Sequence, residues 1–355
     1  MTVIHSPRMI GQMLWTPGEN NFFDDGGLCL ELRGAIPDPG PPDGRSRRMV
    51  AGTLSALLTG IGDAVDATPP SRMEEGQIAS ADQKHLRSRL PGWGLMCFIA
   101  DGSRVAREYT RYRPYHRVAG PKQGVHVPFT CPSDAAPIEV DLPCSNETVT
   151  GLGIRQGEVL AVTGSNAEGK STLLQAIIAG EDDHAPGDGQ ERLVTVRGAC
   201  QAQTGAEEMR GQDISLFFSS LPPGIGGAPS CVSGRGSGSM VMAARIQDLI
   251  GRKCPLLLID EDSAATNLLV PCATQITGVT PLADIIARHR HLLGGTAVVA
   301  ASGTMDYLAA RADRILALDG HRVTCIDRVA FCDRLRDHYR RMADSLGEGD
   351  GHSDP

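Results

Sequence analysis

The sequence lacks any apolar run approaching the roughly 20 residues of a membrane span; its apolar stretches are short, like Pro255–Ile259. Its opening, MTVIHSPRMIGQ, lacks the apolar core and cleavage site of a secretory signal. No Cys-x-x-Cys pair and no Cys/His cluster with zinc spacing occurs, although ten cysteines are present. They read as reduced, structural thiols. A positive charge balance is missing too: the formal net charge is −8, so the whole chain is no obvious nucleic-acid binder. There is no internal repeat. These absences argue against membrane, secreted disulfide-rich and zinc-finger classes. They leave a cytoplasmic globular protein of 355 residues, 41% hydrophobic, long enough for one large or two modest domains.

What is present changes character along the chain. Ile36–Arg48 is Pro/Gly-rich and reads as a loop, Met49–Leu58 as a short helix, and Thr68–Gly76 as another loop. Ala81–Leu90 reads as a helix stopped by Pro91-Gly92, and Leu95–Ala100 as a buried strand closed by Asp101-Gly102. Between Arg104 and Lys122, arginines interleave with Tyr109, Tyr112 and Tyr115. That mixture suits a phosphate backbone with stacked bases, as in RNA, but reads first as a solvated, partly disordered surface segment. From Val125 onward short apolar strands alternate with helices, the pattern of a largely parallel α/β sheet. Its expected strands include Ile138–Leu142, Leu193–Val196, Ile214–Phe218 and Ala297–Ala301; Pro281–Leu293 reads as one helix. The expected organisation is an N-terminal α+β region at 1–124, an α/β domain at 125–330, and a charged tail at 331–355 that starts as a helix.

The strongest local signal is Gly164-Ser165-Asn166-Ala167-Glu168-Gly169-Lys170-Ser171, followed by Thr172. It fits G-x-x-x-x-G-K-[ST] between a strand, Val159–Thr163, and a helix starting at Lys170. Glycines let backbone N–H groups converge on phosphate, and the helix N-terminus adds partial positive charge. Lys170 would reach the β- and γ-phosphates of ATP, and Ser171 would place its hydroxyl on Mg²⁺. A second signal, Pro255-Leu-Leu-Leu-Ile-Asp260-Glu261, is a buried strand ending in two carboxylates. Asp260 suits Mg²⁺, and Glu261 suits a base that orients and deprotonates water. A third is Ser237-Gly238-Ser239, a glycine-rich turn opening another helix and therefore a second phosphate device. Later, the strand Ala297–Ala301 runs into Ser302-Gly303, where Ser302 offers a hydroxyl but no cation. Gln201 and Gln203 are candidates for reaching the metal or water. Phe129 is a candidate for stacking on adenine, or else a core residue.

These residues resemble the predicted ATPases of the ABC class, from roughly Ala81 to Thr324. The resemblance rests on Gly169-Lys-Ser-Thr-Leu-Leu174, His184-Ala-Pro-Gly-Asp-Gly189, Asp213-Ile-Ser215, Ser237-Gly-Ser239, Asp260-Glu-Asp-Ser-Ala-Ala-Thr-Asn267 and Ser302-Gly303. The insert Ser165–Glu168 departs from the family's aromatic- and histidine-bearing loop. The resemblance implies an α/β P-loop ABC-type domain without membrane segments, pairing head to tail as a homodimer. Ser237–Ser239 of one copy would then close on ATP held by the other. It also implies that a histidine after Ala297–Ala301 is dispensable. Catalytic roles fall to Glu261, Lys170 and Ser302. The alternatives are a P-loop kinase or ligase acting on a small molecule, and an RNA-binding scaffold with structural ATP.

Overall fold

The computed structural model describes residues 44–108, 127–273 and 278–347, with short strand segments at 15–17, 22–24, 27–29, 32–34 and 117–118. Four of those segments form two antiparallel ladders: β1 (Trp15–Pro17) with β4 (Leu32–Gly34), and β2 (Phe22–Asp24) with β3 (Gly27–Cys29). Helices α1 (Gly44–Asp66) and α2 (Pro70–Arg89) lead to β5 (Leu95–Ala100). A small ladder, β6 (Arg107–Glu108) with β7 (Arg117–Val118), follows. Then come β8 (Ile138–Leu142), β9 (Glu147–Arg155), β10 (Val159–Gly164) and α3 (Lys170–Ala179). The middle of the chain holds β11 (Leu193–Thr195), β12 (Cys200–Ala202), β13 (Glu208–Gln212), β14 (Gly226–Ala228), β15 (Cys231–Arg235) and α4 (Gly238–Gly251). The last part holds β16 (Leu256–Asp260), α5 (Thr266–Leu269), α6 (Leu282–Arg288), β17 (Ala297–Ala301) and α7 (Asp306–Ala309). It closes with β18 (Arg314–Asp319), β19 (Arg322–Ile326) and α8 (Arg328–Gly347).

The main sheet runs β12-β16-β17-β10-β18-β19, parallel except for the last pair. Both of its faces are covered, which is why β17, and β16 up to its terminal Asp260, are continuously apolar rather than alternating. The period-two geometry of a strand divides them between two cores. Leu160, Leu256, Leu258, Val299 and Leu316 face α3 and an antiparallel sheet, β11-β5-β9-β8. Ala161, Leu257, Ile259, Val298 and Ile315 face α4, α6 and α7. The expected strands Leu95–Ala100, Ile138–Leu142 and Leu193–Val196 therefore form, but in the antiparallel layer. β5 pairs with both β9 and β11, which joins a strand from the expected 1–124 region to the sheet of the expected 125–330 domain.

Some local expectations change. Helix α1 starts at Gly44, inside the expected loop, and is far longer than Met49–Leu58. Helix α2 begins at Pro70, within the other expected loop. Proline at a first helical position loses no hydrogen bond, because that N–H has no helical acceptor. Residues 214–218 are a turn rather than a strand. Ile214, Phe217 and Phe218 are buried at i, i+3, i+4 spacing, and the Phe217 and Phe218 amides both donate to Ile214 O. Asp213 caps this turn by accepting from Ser215 N at 2.9 Å. The single helix expected at 281–293 is α6 followed by a 3₁₀ turn at Arg290–Leu293. His289, at φ −135°, breaks it.

Candidate functional site

Parallel register builds the site. Asp260 lies opposite Ala301, and Ala301 opposite Val162. The residues that leave these three strands, Glu261, Ser302 and the loop from Gly164, therefore emerge at one carboxyl edge, where open α/β sheets bind ligands. β10 lies between β17 and β18, so its outgoing loop is flanked on both sides.

The loop itself is a cradle. Gly164 and Gly169 have φ of +133° and +97°, and Ala167 also has positive φ, at +66°. A Cβ on Gly164 would stand 2.3 Å from Leu318 O, so only glycine fits there. Ser165, Asn166 and Ala167 are exposed, whereas Glu168 to Thr172 are half-buried. Gly169 is the N-cap of α3 and supplies no side-chain cap, which leaves the first amides of the helix turned toward the cradle. Lys170 Nζ donates to Gly164 O and Ser165 O, each at 2.8 Å, folding over the loop. The residues fit ATP: a backbone cradle, an ammonium over it, and a helix N-terminus without its own cap. Glu168 holds the loop from the other side. Its carboxylate accepts from the His321 amide at 2.9 Å, and its carbonyl lies 3.1 Å from His321 Nδ1. His321 occupies the β18–β19 turn at φ +62°, and sequence reasoning did not find it.

Asp260 is buried at the end of β16, and its side chain accepts from Asp262 N at 3.4 Å. With the Ser171 hydroxyl it offers two oxygen ligands of the kind Mg²⁺ takes alongside phosphate and water. Among the described residues no cluster of three His, Cys, Asp or Glu could hold a metal alone.

Glu261 is gripped by the residues after β17. One carboxylate oxygen accepts from Ser302 Oγ at 2.9 Å, Gly303 N at 2.6 Å and Thr304 N at 3.2 Å. The other accepts from Thr304 Oγ1. Burial pushes this carboxyl up, but the hydroxyls of Thr304 and Ser302 and the amides of Gly303 and Thr304 outweigh it, holding Glu261 below the usual range. Ser302 was anticipated; Gly303 N and Thr304 were not. A Ser-Gly-Thr run leaving a buried strand was the available signal, because such turns present amides and hydroxyls together.

Residues 237–239 stand elsewhere. Ser237 is exposed and extended, and α4 starts at Gly238 without a side-chain cap. A Cβ on Gly238 would meet Thr204 Oγ1 at 2.3 Å, so this turn leans on Thr204, whose amide donates to Ser263 O. Gln201 accepts from Gln175 under α3, whereas Gln203 is exposed just past the end of β12. Phe129 lies in the core. Most of the Arg/Tyr stretch, including Tyr109, Arg111, Arg113 and Lys122, lies outside the described residues. A cleft of about 640 Å³ between α4 and the β13-β15-β14 ribbon, bordered by Glu207, Met209 and Arg252, contains none of the anticipated site residues.

The family model for ABC_ATPase, a P-loop domain, matches residues 70–346. The chain belongs to the ABC ATPase family. Uncharacterized protein MJ1628 of Methanocaldococcus jannaschii is 39% identical to this ABC ATPase over 345 residues, 97% of this chain and 75% of that protein. The aliphatic sulfonates import ATP-binding protein SsuB 2 of Nocardia farcinica is 28% identical over 191 residues, 48% of this chain and 73% of its own. Among solved structures, cbiO1 from Clostridium perfringens, part of the ABC transporter complex cbiONQ, is similar with a TM-score of 0.38. The identity there is 14%, over 65% of this chain and 87% of that one. No helix among the described residues of this ABC ATPase is long and apolar enough to cross a membrane.

Proposed function

We propose that this ABC ATPase binds ATP with Mg²⁺ in the 164–171 cradle and hydrolyses it, and that two copies pair head to tail to do so. The observation that carries the reading is the shared carboxyl edge. The register of β10, β16 and β17 gathers the phosphate cradle, the Asp260-Glu261 carboxylates and the Ser302 loop around one space.

In this reading Lys170 Nζ exchanges its two loop carbonyls for β- and γ-phosphate oxygens. The α3 amides and the backbone of residues 165–169 take the remaining phosphate charge. Ser171 Oγ and the Asp260 carboxylate hold Mg²⁺, which neutralises charge on the phosphate oxygens when bound. Glu261 orients the attacking water and takes its proton. The exposed turn at 237–239, at the uncapped N-terminus of α4, faces the ATP of a second copy. Closure of the pair around nucleotide then drives a conformational switch.

The test pairs Lys170→Ala with Glu261→Gln. Lys170→Ala is expected to lose ATP binding. Glu261→Gln is expected to retain ATP, release phosphate at least about a hundredfold more slowly, and elute as an ATP-dependent dimer. Unchanged phosphate release by Glu261→Gln would exclude the assigned base, and a monomer in ATP would exclude the head-to-tail pair.

A further inference from the structure

We propose that residues 302–305 form a two-position anion nest, with Thr304 as its positioning residue. The nest holds the Glu261 carboxylate when no nucleotide is present and gives up its donors to a terminal phosphate oxygen when ATP binds. The inference rests on the nucleotide reading above and adds to it a device that withholds the base until a γ-phosphate arrives.

The nest is well defined. Three successive amides converge, Gly303 and Thr304 on Glu261 and Met305 on Ser302 Oγ at 2.6 Å. Ser302 Oγ also lies 3.2 Å from Thr304 N. With its acceptor side filled by these amides, the Ser302 hydroxyl directs its proton to Glu261. Thr304 alone reaches both carboxylate oxygens, through its amide and its hydroxyl. Converging amides and hydroxyls of this kind select for an anion rather than for a carboxylate in particular.

The nest also borders the phosphate cradle. A Cβ on Gly303 would lie 3.3 Å from Gly164 O, 3.6 Å from Lys170 Nζ and 3.9 Å from Asn166 Oδ1. Lys170 and the nest therefore address neighbouring space, and both are occupied by groups of the protein itself: loop carbonyls for Lys170, Glu261 for the nest. A γ-phosphate, more highly charged than a carboxylate, competes for the same donors. Its arrival frees Glu261, whose Oε2 is otherwise held by three donors and whose Oε1 is held by Thr304, to turn toward a water and accept its hydrogen bond. ADP carries no such oxygen and leaves the base held. A hydroxyl-and-amide loop thus performs a phosphate-sensing task without a cation at this strand end.

The experiment measures AMP-PNP and ADP binding to the full chain with Mg²⁺ by calorimetry, for wild type, Glu261→Gln, Thr304→Val and the double variant. Replacing the carboxylate weakens its hold on the nest, so Glu261→Gln is expected to tighten AMP-PNP relative to ADP by about tenfold. In the Thr304→Val background, where part of that hold is already gone, the gain is expected to fall to about threefold. Thr304→Ser, which keeps the hydroxyl, is expected to match wild type. If Glu261 merely repelled the phosphate, the Glu261→Gln gain would be equal in both backgrounds, and the nest would be overturned. It would be overturned as well if Thr304→Val weakened AMP-PNP and ADP equally, the signature of a purely structural residue. Failure of AMP-PNP to bind any of the proteins would overturn the nucleotide reading itself, and the nest with it.

Discussion

The carbonyl of Leu318 stands 2.3 Å from the point where a Cβ on Gly164 would be built. The hydrogen-bond ladder of β10 and β18 sets this approach, since Gly164 and Leu318 are the last register partners of that ladder. The first glycine of the cradle is therefore constrained twice, by its φ of +133° and by a backbone neighbour that cannot swing aside.

Gly164→Ala consequently forces the cradle away from β18. It is expected to abolish measurable ATP binding and to lower unfolding stability by about 1–3 kcal/mol. Calorimetry and urea denaturation check the two effects. Gly187→Ala is a useful contrast: φ is also positive, at +80°, but no atom lies within 4 Å of its added Cβ, so nucleotide binding is expected to survive.

Arg87 fastens α2 to the loop beyond α3. It is buried, donates to Asp183 Oδ1 at 2.7 Å, and reaches the carbonyls of Thr195, Gly180 and Asp182 at 3.2–3.3 Å. Arg87→Ala leaves the half-buried Asp183 and these carbonyls without that donor. The expected cost is about 3 kcal/mol, read from urea denaturation of the full chain. Cleavage by a protease of low specificity is expected to begin in α2, which then keeps the weaker polar ties of Ser80 and Lys84 to Asp183, Gln83 to residue 184 and Asp82 to residues 144–145.

Asp313 secures the start of the cradle strand by accepting from Val159 N and Arg290 NH1, each at 2.8 Å, and from Arg290 NH2. Burial raises its carboxyl, but the Arg290 hydrogen bond and the Val159 amide outweigh it, so the folded value lies below the ordinary one. A depressed folded value means that this stability is present in full above the unfolded carboxylate value of about 3.9 and is lost as pH falls through the folded value. The ion pair is partly exposed and screened, so Asp313→Asn is expected to cost only about 1 kcal/mol at pH 7. The gap between wild type and variant is expected to close as pH drops below about 4. Thermal unfolding across pH 3–7 measures it; a gap that widens on acidification would contradict the assignment.

Local pattern made the candidate site's elements legible. The strand and helix around Gly164–Ser171, and the apolar run ending in Asp260-Glu261, depend on short-range rules: period, capping and glycine's freedom of φ. They needed only neighbours in the chain. The same rules misplaced residues 214–218, where β-favouring types sit on one face of a turn that tertiary burial of Ile214, Phe217 and Phe218 stabilises.

Sequence by itself thus determined which residues carry the cradle, the two carboxylates and the uncapped helix at Ser237. Only the tertiary structure decided which of them meet. The order β16-β17-β10-β18 is a matter of long-range strand pairing, which leaves no local trace. It brings Thr304 to Glu261 across 43 residues and His321 to Glu168 across 153. It also splits the expected strands between a parallel sheet and an antiparallel layer, because each buried strand is satisfied by whichever neighbour completes its hydrogen bonds and covers its faces.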